Sequence, residues 1–182
     1  MARNTLSRSA HDLGLAAWFG GTLAHAVALN PAAAQAGTAQ RTGAVANIGW
    51  DRWTPVNAAA IGLHLAGSVG QLIGNAGRLS AQQGVASMSV AKTALTAAAL
   101  GVTAYSRMLG RKVSRDTDVP AASGTEPAPS TPADVASAQR QLAVLQWAVP
   151  ALTGALVVIS SFAGEQQRPT EVAGGLRQRL FG

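Results

Sequence analysis

Residues 53–77 read WTPVNAAAIGLHLAGSVGQLIGNAG and contain no Asp, Glu, Lys or Arg. At 1.5 Å rise per residue, about 20 predominantly apolar residues cross a hydrocarbon core of about 30 Å, so this stretch is long enough to span a bilayer as one helix. Its side chains are only weakly apolar, with Ala and Gly outnumbering Leu and Ile, and an alanine-rich soluble bundle would look similar. Charge decides between the two. Residues 13–40 and 141–164 are also free of acids and of Lys and Arg, and charged residues make up 12% of the chain where a soluble domain carries about 25%. A soluble domain needs charge distributed along its sequence to cover its surface, and this chain lacks it.

Working outward from residues 53–77, the pattern predicts an all-α, four-helix transmembrane bundle. The first span is expected over about 13–29, opened by the capping-box-like Ser9-Ala-His-Asp12 and ended at Asn30-Pro31. A rival reading is a cleavable signal peptide with Arg3 and Arg8 before the apolar run and Ala32-Ala-Ala-Gln-Ala36 as its cleavage site; Gly20, Gly21 and His25 interrupt the run and argue against it. Residues 31–51, rich in Ala with Gln and Thr, suggest a helix at the interface or outside the membrane. Trp50 and Trp53 suit an interfacial aromatic belt, and Thr54-Pro55 reads as an N-cap followed by proline at the first helical position, starting a second span over about 55–77. A third span over about 85–105 contains Lys92, whose stem can stay in the membrane while its ammonium reaches the head groups. These three spans form an N-terminal membrane region, 1–115. Residues 116–131, rich in Pro, Ser, Thr and acid, read as a disordered linker. A fourth helix over 132–164 enters the membrane at about 142, spans to about 163 and carries Pro150, and 165–182 form a tail.

The net charge of +6 comes from 14 Lys and Arg against 8 Asp and Glu. Most basic residues flank the spans, with no dense basic patch interleaved with aromatics, so the expected contact is the lipid bilayer and no nucleic acid. For four spans the two sides differ by one basic residue: Arg3, Arg8, Arg78, Arg168, Arg177 and Arg179 against Arg41, Arg52, Arg107, Arg111, Lys112, Arg115 and Arg140. The positive-inside rule therefore leaves orientation open. With no cysteine there is no disulfide and no thiolate chemistry.

Two stripes run along the second span. Gly62, Ala66, Gly70 and Gly74 recur every four residues, a small-residue pattern for close helix packing within the chain, in a homo-oligomer or with a membrane-complex partner. His64, Ser68, Gln71 and Asn75 form a polar stripe, with related polar positions at Trp18, Thr22 and His25, at Ser89, Thr93, Thr96 and Thr103, and at Gln146, Thr153 and Ser160. They imply a polar bundle interior, held by interhelical hydrogen bonds or forming a small-ligand pocket. If the first two spans are antiparallel neighbours, His25 and His64 differ in depth by only about 3 Å. Such a pair would suit a proton relay or the axial ligation of a haem, or would simply be hydrogen-bonded to Ser or Thr. No paired carboxylates, no Ser-His-Asp order and no phosphate-cradling loop are present in a suitable context, so catalytic residues, metal ligands and cofactors are all expected to be none. His11-Asp12 is the one acid-histidine pair near the membrane and reads as a helix cap.

The segments His11-Asp-Leu-Gly-Leu-Ala-Ala-Trp-Phe-Gly-Gly21, Arg52-Trp-Thr-Pro-Val-Asn57, Val90-Ala-Lys-Thr-Ala-Leu-Thr96 and Gly164-Glu-Gln-Gln-Arg-Pro169 resemble an uncharacterised family of small, four-span actinobacterial integral membrane proteins. The resemblance covers nearly the whole chain and implies a multi-pass location in a bacterial plasma membrane, with no assigned activity. The expected role is non-enzymatic: structural or accessory, through small-residue helix contacts. The runner-up is a small transporter or ligand-binding membrane protein using the polar interior around His25, His64, Gln71 and Asn75, and a bis-histidine haem protein comes third.

Overall fold

The computed structural model describes residues 4–74, 76, 85–115 and 119–165. Among them the chain forms four long helices. The first, α1, runs Thr5–Ala33, α-helical over Thr5–Ala24 with a π turn at His25–Leu29 before its last turn Asn30–Ala33. The others are α2 (Ala39–Gly74), α3 (Val85–Val113) and α4 (Ala133–Glu165). By length and composition α1, α2 and α4 can each cross a membrane. The α3 helix, which carries Lys92 among many Ala, Ser and Thr residues, is less apolar than the other three. Large apolar side chains face outward on α2 (Leu63, Val69, Leu72, Ile73) and α4 (Val144, Trp147, Val158, Phe162), which in water would leave an adhesive surface and in lipid is the ordinary state.

The bundle consists of two helix pairs. The α1 helix packs along α2, α3 packs along α4, and α1 also packs on α4, whereas α2 and α3 are not packed along their length. Trp18, Ala60, Ala99 and Val149, one from each helix, meet in a buried core cluster. The α1–α2 approach is close because glycines face backbone: a Cβ on Gly14 would collide with the Ala60 carbonyl and the His64 backbone, and one on Gly67 with Ser7 and His11. Where backbones touch in this way, only hydrogen fits in place of a side chain.

The expected small-residue stripe is corrected by this geometry. Gly70 and Gly74 face Ser7 and Asn4, but Gly62 has open space around it and Ala66 is exposed, while the buried glycine of the contact is Gly67. A step of four residues overshoots the 3.6-residue turn by about 40°, so three such steps carry the stripe about 120° around the helix and off the interface.

The boundary expected at residue 55 is also corrected. The chain turns between Ala34 and Thr38, where Gly37 has φ +90°, a conformation open to glycine at no steric cost. The α2 helix then runs unbroken from Ala39 through Pro55, so residues 39–51 belong to α2 and form no separate interfacial helix. Thr54 does not cap a helix; its hydroxyl donates to the Trp50 carbonyl at 2.8 Å, one turn back.

Residues 119–131, expected as part of a disordered linker, are folded against the bundle; 116–118 lie outside the described residues. Val119, Ala121 and Thr125 are buried. The Ala121 amide donates to Ala39 O at 3.0 Å and the Gly124 amide to Asn30 O at 3.1 Å, while the Thr131 hydroxyl donates to Pro120 O at 2.6 Å. Val119 joins Val113, Val135 and Ala138 in a second buried cluster. The segment is stabilised by its small residues, which let its backbone reach the backbone of α1 and α2.

Candidate functional site

A cavity of about 320 Å³ lies where α2 and α3 fail to pack, walled by α2, α3 and α4, with Thr22 of α1 also lining it. The helices supply its lining at helical spacing: Asn47, Trp50, Thr54, Asn57 and Ile61 from α2, and Leu100, Thr103, Arg107 and Gly110 from α3. Steps of three and four keep side chains on one helix face, so each set is a single ridge turned inward. Leu142, Leu145 and Val149 close it from α4.

Two lining residues, Trp50 and Gln146, are joined through Asn30, which is not itself part of the lining. Asn30, 2% exposed at the end of α1, accepts from Trp50 Nε1 at 3.1 Å and donates through Nδ2 to Gln146 Oε1 at 2.8 Å. Gln146 Nε2 donates in turn to the Ala143 carbonyl at 3.1 Å. This chain ties α1, α2 and α4 together. Other residues of the lining differ: Asn47 Nδ2, Trp53 Nε1 and Asn57 Oδ1 on α2, and Thr103 Oγ1 and Arg107 Nε on α3, are buried and have no partner among the described residues. Buried polar atoms are nearly always hydrogen-bonded, and an orphaned one costs about 1–3 kcal/mol. Asp51 and Arg107, joined at 3.2 Å, are the charged residues of the lining.

Of the residues expected from the sequence, Thr22, Thr103 and Gln146 lie in this cavity wall. His25 does not; its ring stands 4.3 Å from Trp50 and 5.4 Å from Trp53 between centroids, with Nδ1 2.7 Å from the Gly21 carbonyl. His64, fully buried, meets His11 instead, at a centroid separation of 4.5 Å. The depth match between His25 and His64 fails because α2 begins at Ala39, which pairs the end of α1 with residues near 50. His11 and His25 are fourteen residues apart on α1, about 21 Å.

His11 and His64 form a second polar cluster at the other end of the α1–α2 contact. Asp12 Oδ1 lies 2.7 Å from His11 Nδ1, and the His64 Nδ1 is 3.4 Å from the His11 carbonyl. Both Nε2 atoms, and the Nε1 of buried Trp18 whose ring lies edge-on 6.1 Å from His64, have no partner among the described residues. The two imidazoles are in tilted contact, which leaves no room for a haem between them. Ser68 bonds the His64 carbonyl at 2.8 Å and buried Thr153 the Val149 carbonyl at 2.8 Å, so both hydroxyls are used within their own helices. Gln71 is half-buried on α2, and Asn75 lies outside the described residues. Among those residues no group of three or more His, Cys, Asp or Glu is placed to hold a metal ion.

Asn47, Trp53, Asn57, Thr103 and Arg107 did not emerge together from the sequence, although the spacing 47, 50, 54, 57, 61 is as regular as any stripe in the chain. The comparisons leave the family open: no protein-family model matches this chain, and neither does any curated protein or solved structure.

Proposed function

We propose that this chain is a multi-pass protein of a bacterial plasma membrane that binds a small molecule in the cavity between α2, α3 and α4, without catalysing a reaction on it. The observation that carries the reading is the recess itself, about 320 Å³ between three helices, with Asn47, Asn57, Thr103 and Arg107 among its lining residues. Apolar walls at Ile61, Leu100 and Val149 beside a polar rim suit a ligand that is part apolar and part polar. Three helices able to cross a membrane support the location, and α3, shielded on one side by α4, is read as a fourth crossing.

Native mass spectrometry of the full chain, purified from washed membranes in mild detergent, tests this. A retained small molecule is expected, and Asn57→Leu and Trp53→Phe, which fill or strip the recess, should release it while leaving the helical content unchanged. Recovery of the protein without detergent, or retention of the same mass by both variants, would sink the proposal.

A second reading, a structural or accessory protein acting through helix contacts with a second copy or a partner, is favoured by Gly62 and Ala66. They are small, and both are exposed on the outer face of α2. It predicts that Gly62→Leu changes the native mass of the assembly and that the cavity variants do not.

A further inference from the structure

We infer that the recess takes one acyl chain of a bilayer phospholipid, entering sideways between α2 and α3, and that the Asp51–Arg107 pair seats a zwitterionic head with an ammonium group beside its phosphate. The inference rests on the membrane and binding reading proposed above and adds the class of ligand.

Three helices agree on where the membrane surface lies. The stretch of α2 free of Asp, Glu, Lys and Arg begins after Arg52, that of α3 ends before Arg107, and that of α4 begins after Arg140. Trp50, Trp53 and Tyr105 stand within one turn of Asp51 or Arg107, as aromatic residues do at the head-group level. The recess crosses this level. Ile61, Leu100, Leu145 and Val149 line it on the membrane side, and Ser114 and Thr125 on the water side. From Asp51 to Ile61 is about 15 Å along α2, half of a hydrocarbon core of about 30 Å and so the depth of one leaflet. A ligand that is apolar below that level and polar at it is a lipid held at its ordinary depth.

The side of entry follows from the helix contacts. The α1 helix packs on α2 and α4, and α4 packs on α3. The helices therefore follow one another around the bundle as α2, α1, α4 and α3, and the gap left between α2 and α3 opens outward to the bilayer. Ala58 and Ala104, both exposed, line the recess from these two helices and are small enough to leave that gap open.

The head is selected by the ion pair that bridges the gap. Arg107 Nη1 donates to Asp51 Oδ1 at 3.2 Å, and the two side chains are 34% and 54% exposed, so a lipid head reaches both. A phosphate suits the guanidinium, but a purely anionic head would also lie beside the Asp51 carboxylate. An ammonium group next to the phosphate turns that repulsion into attraction. Because water screens exposed charges, the resulting preference is a few-fold effect.

The test is native mass spectrometry of the full chain, first as purified and then stripped of lipid in detergent and given equal amounts of phosphatidylethanolamine and phosphatidylglycerol with identical acyl chains. Wild type should bind one phospholipid and favour phosphatidylethanolamine about threefold. Asp51→Asn should remove that preference while a phospholipid stays bound. Ala58→Trp and Ala104→Trp, each of which fills the gap from its exposed side, should lose the lipid, with circular dichroism separating this from loss of the fold. A phospholipid kept by both tryptophan variants, a wild type that does not favour phosphatidylethanolamine, or a preference unchanged in Asp51→Asn overturns the inference. A small molecule other than a phospholipid, present on purification and lost in the tryptophan variants, overturns it too and leaves the binding reading standing. No mass carried by wild type at either stage overturns both.

Discussion

Replacing Asn30 with alanine removes the side chain through which α1, α2 and α4 are joined. Two hydrogen bonds are lost, from Trp50 Nε1 at 3.1 Å and to Gln146 Oε1 at 2.8 Å, and the two partners respond differently. Gln146 already bonds the Ala143 carbonyl of its own helix and can rotate its freed oxygen, so its loss costs near the average of about 0.6 kcal/mol for an interhelical bond in a membrane bundle. The half-buried Trp50 indole is in contact with the His25 ring, and a donor left without its acceptor in such a site costs about 1–3 kcal/mol. The sum is a destabilisation of about 2–4 kcal/mol. It should be measured as the unfolding free energy of the full chain in detergent micelles, followed by helical ellipticity, with Gln146→Ala and the double variant completing a cycle. A coupling of about 0.6 kcal/mol between Asn30 and Gln146 is expected. A loss below about 0.5 kcal/mol in Asn30→Ala would refute the reasoning, because it would mean that neither partner is orphaned.

Gly67→Leu should abolish the α1–α2 contact, since even its Cβ would meet the His11 and Ser7 backbone; Gly62→Leu, with open space around it, should shift the melting temperature in detergent little, and equal shifts in the two would contradict the packing. Gly37→Ala places a methyl at φ +90° and should cost about 1–2 kcal/mol in the same assay. Val119→Asp buries a charge in the cluster with Val113, Val135 and Ala138 and should release residues 119–131 to protease, whereas wild type should resist cleavage there. Because the chain has no cysteine, single Arg41→Cys and Arg140→Cys proteins carry unique labels, and an impermeant maleimide should reach both from the same side of the membrane.

The helices were legible from the absence of charge, since stretches without Asp, Glu, Lys or Arg coincide with the interiors of α1, α2 and α4. Their ends were less so. Thr54-Pro55 has the composition of a helix start, yet the helix continues through Pro55, and the carbonyl left without an N–H partner there is that of Asp51, an exposed residue. That one boundary displaced the antiparallel register and with it the partner of His64. The π turn at His25–Leu29 has no signature in composition, although it adds a residue to a turn and rephases the face of α1 that presents Asn30. Residues 119–131 looked unstructured because the segment is poor in large apolar side chains, but burial of Val119 and Ala121 and backbone bonds to α1 and α2 suffice when the neighbours are already in place. The cavity required knowing which helices are apart. A polar ridge reads the same in sequence whether it faces a partner helix or a void, so Asn47 and Asn57 became informative once α2 and α3 were seen not to pack.

The arrangement of two helix pairs joined through α1 and α4 has a consequence for biosynthesis. The helix translated first is the one that contacts both α2 and α4, and its contact with α2 is local in sequence, closed by the turn at Gly37. The N-terminal pair is therefore complete while the rest of the chain is still being made, and it presents α1 as the template on which α4 docks, bringing α3 with it. The recess between α2, α3 and α4, which needs both pairs, comes into being only at that last docking step.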